Sequence, residues 1–212
     1  MKVRFGEHTY VGDDEPCWIV AEMSANHHQD FDKAVAIIHA AAASGADAIK
    51  LQTYTADTIT IDSREDLFQI GKESTWAGRN LYDLYQEAYT PWEWHPELKR
   101  IAEENGLECF SSPFDKTAID FLEGLSVPAF KIASFELVDL PLIRYAAQKG
   151  KPMILSTGMA SLQEIEEAVE CVRSTGNNQI VLLKCVSAYP APPEEMNLRT
   201  ILDLQERFVC PV

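Results

Sequence analysis

Six short apolar segments of this chain end in side chains that can handle an anion. Glu22 closes the first, WIVAE. Lys50 and Gln52 close the second, AIKLQT; two residues apart, they share one face of an extended strand. Ser111 and Ser112 precede Pro113 in the third. Lys131 ends the fourth, with Ser134 and Glu136 just beyond. Ser156, Thr157 and Gly158 follow the fifth, and Ser187 and Tyr189 the sixth. Two lysines, carboxylates and a row of hydroxyls suit an anionic, oxygen-rich substrate. Ser-Ser-Pro-Phe (111–114) and Ser-Thr-Gly-Met (156–159) each stand before a helical pattern. First-turn N–H groups there would favour a phosphate or carboxylate. Asn26 and His27 are hydrogen-bonding candidates beside Glu22. His27-His28 is not a metal pair, because adjacent histidines point apart and no H-x-x-x-H spacing accompanies them. Plainer readings stand beside these. Glu22 and Lys50 can pair across adjacent strands, and Ser112 and Ser161 can be helix caps only. The aromatic cluster Trp76 to Trp94 packs a long loop more readily than it stacks on a sugar.

These groups need a scaffold that delivers strand ends to one edge. Short, continuously apolar runs predict strands at Cys17–Ala21, Ala46–Leu51, Leu107–Ser111, Ala129–Ile132, Met153–Ser156 and Ile180–Cys185. Helical patterns alternate with them at Asp32–Ser44, Trp92–Asn105, Lys116–Gly124, Pro141–Lys149, Leu162–Ser174 and Leu198–Arg207. Gly45, Gly106, Gly150 and Gly176 fall just past helix ends. No G-x-G-x-x-G follows any strand, so a dinucleotide fold has no support. The expected fold class is an α/β TIM (β/α)8 barrel, whose chemistry sits at the carboxyl ends of its strands. Six βα units fall short of the eight, and residues 209–212 read as the opening of a seventh strand. An incomplete barrel over residues 1–212 is therefore expected. The connection from Thr53 to Thr90 is long enough for a substrate lid or a folded excursion, and Leu81–Ala88 within it reads as a helix.

Bulk properties narrow the partners. The formal net charge of −15 opposes binding to nucleic acid or an anionic membrane. A phosphate would have to be held locally, against the global field. No apolar run approaches a membrane span, and MKVRFGEHTY lacks a signal-peptide core, so a cytoplasmic protein is expected. Five cysteines without a C-x-x-C pair read as reduced, mostly buried thiols. Lys184, near the end of the sixth strand, raises a rival chemistry, because Schiff-base aldolases use such a lysine as nucleophile.

The motifs AEMSANH, IKLQTYT, FSSPFD, FKIASFE, LSTGM and KCVSAYPAP, in that order, resemble the sialic acid synthase family. The runs GRNLYDLYQEAYTPWEWH and SSPFDKTAIDFLE look closest to its pseudaminic acid branch. The resemblance implies a transferase that condenses phosphoenolpyruvate with an acetamido sugar, for that branch a 2,4-diacetamido-2,4,6-trideoxy-L-altrose. Carbon 3 of phosphoenolpyruvate attacks the open-chain aldehyde, and water adds at the cation developing on carbon 2. Phosphate leaves by C–O cleavage, giving a nine-carbon 2-keto acid. Carried over by motif, Glu22 lies beside the reacting centre. Lys50, Lys131, Ser112, Ser134 and Ser156 bind phosphate and carboxylate, and Gln52 and Tyr189 reach the sugar. Asn26, His27, Glu136 and Ser187 complete the substrate contacts. Ser187 stands where the N-acetylneuraminate branch has Asn, which weakens that assignment and fits a different acceptor; an N-acetylneuraminate or legionaminate synthase of the same family is the alternative. The resemblance also implies a divalent metal, Mn2+ or else Mg2+ or Co2+, with histidine ligands beyond Val212, and a homodimer completed by a C-terminal antifreeze-like domain. By this reading the 212-residue chain alone is expected to be inactive. A non-catalytic remnant is the remaining alternative.

Overall fold

The computed structural model describes residues 1–6, 9–71, 76–188 and 191–212. It divides into two compact units, Ile19–Cys109 and a second that joins Met1–Trp18 to Phe110–Val212. The chain opens with β1 (Lys2–Phe5) and β2 (Thr9–Gly12), an antiparallel pair that the sequence reading missed. Trp18 explains a second difference. Its ring lies 4.8 Å from Phe5 and stacks on Phe110 at 5.6 Å. The expected strand Cys17–Ala21 therefore starts later, as β3 (Val20–Glu22), which carries Glu22 inside the ladder.

In the Ile19–Cys109 unit, β3 runs parallel to β4 (Ala48–Thr53), with Glu22 in register with Lys50. Between them α1 (Phe31–Ala43) is capped by the Asp30 carboxylate, which accepts the Lys33 N–H. Ala34, Ile38 and Ala41, spaced four and three apart, bury its inner stripe. Ile49 and Leu51 pack against that stripe in a shared core with Met23, Leu98 and Leu107. Strand alternation then sends Lys50 and Gln52 to the opposite face.

The long connection is a folded excursion. It contains α2 (Ala56–Ile59) and α3 (Leu81–Ala88), the latter at its expected bounds. Its own bonds close it. Tyr82 donates to Asp57 at 2.8 Å, Arg64 pairs with Asp83 at 2.6 Å, and the Asn80 amide donates to the Ser63 carbonyl at 2.7 Å. The helix expected over Trp92–Asn105 is split into a 3-10 turn at Trp92–Trp94 and α4 (His95–Glu104). Pro96 is the reason: it has no N–H to offer the Trp92 carbonyl, so it sits in a first turn instead.

β5 (Glu108–Pro113) begins in this unit and continues into the other. Strand order is β3-β4-β5 in the first unit. In the second it is β5, β6 (Phe130–Ile132), β7 (Met153–Ser156) and β8 (Ile180–Leu183), with parallel β5–β6, β6–β7 and β7–β8 pairs. They alternate with α5 (Lys116–Gly124), α6 (Leu140–Ala147), α7 (Leu162–Arg173) and α8 (Thr200–Phe208). All four residues of β7 are buried, as a parallel strand covered on both faces requires. Residues 209–212 do not form the expected strand. Val209 turns left-handed, and contact with β8 is made by the Leu182 N–H donating to the Pro211 carbonyl at 2.9 Å. Cys109, Cys171 and Cys210 are buried, and burial pushes the Cys109 thiol up to about 12. No described helix is long and apolar enough to cross a membrane.

Candidate active site

In the first unit, β-register does the positioning. Glu22 and Lys50 are direct partners on parallel strands, and their side chains form an ion pair. The Lys50 side chain is 12% exposed and that of Glu22 40%, so the pair is half-open to solvent. Gln52 follows on the same face. The Met23 N–H donates to the Lys50 carbonyl at 3.1 Å, extending the ladder by one bond. Beyond it the loop bends sharply, with Ser24, His28 and Gln29 at φ of 50°, 50° and 56°. Left-handed backbone at three non-glycine residues is strain that the surroundings must hold. Asn26 is exposed, and its amide donates to the Met23 carbonyl at 2.9 Å. His27 is buried and turned into the fold. Its Nδ1 accepts the Gln29 N–H at 3.1 Å, so the neutral ring carries its proton on Nε2, 3.0 Å from Thr90 Oγ1. Burial lowers its pKa, with neighbouring His28 adding to the effect. Both ring nitrogens are thus engaged by the protein, which corrects the expectation of a ligand contact through this ring.

In the second unit the polar groups follow the ends of β5 to β8. Ser112 lies inside β5, 1% exposed, and its Oγ finds no hydrogen-bond partner among the described residues. It is not a helix cap: Asp115 caps α5, accepting the Thr117 N–H at 2.9 Å and the Ala118 N–H at 3.2 Å. At α7, Ser161 and Glu164 form a capping box. The Asp115 carboxylate at α5 and the Ser161 hydroxyl at α7 thus accept first-turn N–H groups that a ligand anion would otherwise use. Lys131 shares β6 with buried Phe130 and Ile132 and projects from the other face. Ser134 opens the 3-10 turn Phe135–Val138, which carries Glu136. Glu136 Oε2 is buried without a partner among the described residues. Burial raises its pKa, and the nearby Lys131 charge offsets this in part. Burial thus favours the protonated form of this carboxyl, the direction that a proton-transfer role calls for.

Ser156 is buried at the end of β7, and the Thr157 N–H and hydroxyl both donate to the Leu183 carbonyl, at 3.0 and 2.9 Å. Gly158 comes next. A Cβ placed there would lie 2.5 Å from Ser187 Oγ and 2.9 Å from Ser134 Oγ. The missing side chain is what lets two hydroxyls meet over bare backbone. Met159 after it is left-handed, φ 67°. Lys184 lies past the end of β8, its ammonium donating to the Cys185 carbonyl at 3.1 Å. That lysine is tied to backbone rather than presented as a nucleophile. Tyr189 lies outside the described residues.

Sequence reasoning missed Gly158 as a packing constraint, and it missed the buried pair Thr53–His95. His95 Nε2 is 2.9 Å from Thr53 Oγ1, and its Nδ1–H donates to the Pro91 carbonyl at 3.2 Å. Among the described residues, no three His, Cys, Asp or Glu side chains are placed to hold a metal ion. The divalent metal that the resemblance implies therefore finds no ligand set in them.

Paired charge at one set of strand ends and convergent hydroxyls at another now meet an independent comparison. The family model described as NeuB matches residues 37–212. The chain belongs to the NeuB family. It is 50% identical over 194 residues to a pseudaminic acid synthase of Helicobacter pylori, covering 92% of this chain and 57% of that protein. It is 35% identical over 205 residues to the N,N'-diacetyllegionaminic acid synthase of Legionella pneumophila, covering 95% and 57%. A crystal structure of an N-acetylneuraminic acid synthetase from Leptospira borgpetersenii, in complex with citrate, matches with a TM-score of 0.85 at 30% identity. That match covers all of this chain and 68% of the other. The chain thus spans 57% of the length of the two relatives named. The match to the Leptospira structure bears out the α/β, TIM-type fold class, and the NeuB match with these relatives bears out the sialic acid synthase resemblance.

Proposed function

We propose that this chain carries the phosphoenolpyruvate-binding part of a nonulosonate synthase of the pseudaminic acid type. The observation that carries the anion reading is Ser112 Oγ, a buried hydroxyl with no hydrogen-bond partner among the described residues. A buried polar atom without a partner costs about 1–3 kcal/mol, which a bound ligand recovers. The pseudaminic branch is favoured by 50% identity to the H. pylori enzyme against 35% to the legionaminic acid synthase.

In this reading Lys131, Ser134 and Ser156 hold phosphate and carboxylate oxygens, with the Ser112 hydroxyl donating. Ser187 and Glu136 face the acceptor side, and Glu136 is suited to hand a proton to a leaving or adding oxygen. In the other unit the reading takes Lys50 as the cation and Glu22 as the carboxylate that would balance charge developing at the reacting carbons. Gln52 and Asn26 offer amides to hydroxyl or acetamido groups. The bond formed is between carbon 3 of phosphoenolpyruvate and the sugar aldehyde carbon. The bond broken is the carbon 2–oxygen bond to phosphate, after water has added at carbon 2.

The test is a supply of the intact protein with phosphoenolpyruvate, manganese and a panel of acetamido sugars. Formation of a 2-keto acid with stoichiometric phosphate, fastest with the 2,4-diacetamido-altrose, is the expected result. Turnover of an acceptor from the legionaminate or N-acetylneuraminate series in preference would reassign the branch. Release of pyruvate with borohydride trapping at Lys184 would instead point to a Schiff-base lyase.

A further inference from the structure

The residues of the first unit with reactive potential hang from two strand ends, and one short segment ties both. From the β3 side, the His27 ring donates to Thr90 Oγ1 at 3.0 Å, and the Gln29 amide donates to the Tyr89 carbonyl. From the β4 side, Thr53 meets His95 at 2.9 Å, and the Trp92 indole N–H donates to the Tyr54 carbonyl at 3.1 Å. The Trp94 ring stands edge-on to His27 at 5.7 Å and to Phe31 at 5.4 Å. His27, Thr53, Thr90 and His95 are all buried.

We propose that the segment Tyr89–His95 is a positioning clamp that sets Glu22 against Lys50, with His27 and Thr90 as its principal positioning residues. The physical case has three parts. The loop after Glu22 is left-handed at three non-glycine residues, a strain that its internal turn bonds share with its contacts to Tyr89 and Thr90. Its inward anchor, His27, has no water to fall back on, so loss of the Thr90 bond leaves a buried donor unmet. His27 and Gln29 in the loop after β3, and Thr53 and Tyr54 at the end of β4, are bonded to the same seven-residue segment, so moving it moves the ends of both strands together. The clamp arises at the end of the excursion between β4 and α4, and this gives the excursion a task other than covering a ligand. The inference rests on the proposed function only in taking Glu22 and Lys50 as reacting groups.

Thr90→Val removes the hydroxyl while keeping its shape, and Thr90→Ser keeps the bond. In the intact protein, Thr90→Val and His27→Phe are expected to lower kcat about a hundredfold, with KM for phosphoenolpyruvate within about twofold, since misplacement by an ångström costs that much. Thr90→Ser is expected to restore most of the rate. His27→Gln, which keeps a donor near the Nε2 position, is expected to do the same. The double variant is expected to lose no more than His27→Phe alone, because that change already removes the Thr90 bond along with the Gln29 N–H contact to Nδ1. Hydrogen exchange gives a readout that does not depend on activity. In Thr90→Val, amides of residues 22–29 and 50–54 are expected to exchange faster together, while those of α5 to α7 keep their rates. A folded Thr90→Val protein with wild-type kcat, or with faster exchange in residues 22–29 alone, overturns the clamp. If the wild type forms no keto acid, the functional reading fails, and the exchange result still decides the clamp.

Discussion

The two units solve the problem of keeping polar groups at strand ends in opposite ways. In Ile19–Cys109, the polar groups are tied to the protein itself: Glu22 to Lys50, His27 to Thr90, Thr53 to His95. In the unit that contains β6 to β8, Ser112 and Glu136 keep buried atoms unpartnered among the described residues, and two serine hydroxyls crowd one glycine. One arrangement is complete without a ligand. The other is left in a state that a ligand would improve. Paired charge and unsatisfied polar atoms are different ways of holding polar groups at strand ends, and they are expected to respond to mutation with opposite signs.

The sharpest break is at Lys50. Lys50→Met leaves Glu22 without its partner but changes a half-open pair, so folding is expected to hold. Synthase turnover in the intact protein is expected to fall about a thousandfold, the scale of losing a preorganised charge. Steady-state release of phosphate measures it. Next is Gly158→Ala. The new methyl displaces the Ser134 and Ser187 hydroxyls, and affinity for phosphoenolpyruvate is expected to weaken about tenfold, or about 1.4 kcal/mol, by calorimetry.

Acid separates the units by sign. Burial pushes His95 down to about 4 and lowers His27 as well, so both favour the neutral ring when folded. Their stabilising share is present above the unfolded value of about 6.5 and is lost as pH falls from there towards the folded values. For His95 the full loss is about 3 kcal/mol. Glu136, raised by burial, runs the other way: it costs stability as pH climbs through the ordinary carboxylate value, and the cost is relieved in acid. Hydrogen exchange at pH 5 against pH 7.5 is expected to show the loop after β3 opening first. The smallest effect sharpens the contrast best. Ser112→Ala is expected to stabilise the ligand-free protein by about 1 kcal/mol, whereas Thr90→Val destabilises it by a similar amount, both in urea denaturation.

The strand ends were legible in the sequence because apolar runs closed by polar residues survive any small shift of boundary. β7, α3 and α5 lie at their expected bounds, and β4 is displaced by two residues without changing the face of Lys50 and Gln52. The Glu22–Lys50 pair was open to reading, since both close neighbouring strands of one parallel unit. The caps were half legible: Ser161 with Glu164 three residues on is the capping box it reads as, whereas Ser112 is no cap because Asp115, closer to α5, accepts the Thr117 and Ala118 N–H groups. The clamp was illegible. A histidine and a threonine 63 residues apart leave no periodic trace, and Thr90-Pro91 looks like a helix start from either side. Gly158 was visible as a letter in a motif but not as a constraint, because its neighbours Ser134 and Ser187 arrive from other loops.

That glycine carries a consequence for how such sequences diversify. Positions 134, 158 and 187 share one small volume, so they are inherited as a unit rather than as three independent choices. A lineage that gains a side chain at 158 must shrink or retract 134 or 187 in the same step, and a lineage that enlarges 187 is confined to glycine at 158. The room at this point is therefore shared among three codons, and change at any one of them is legible only beside the other two.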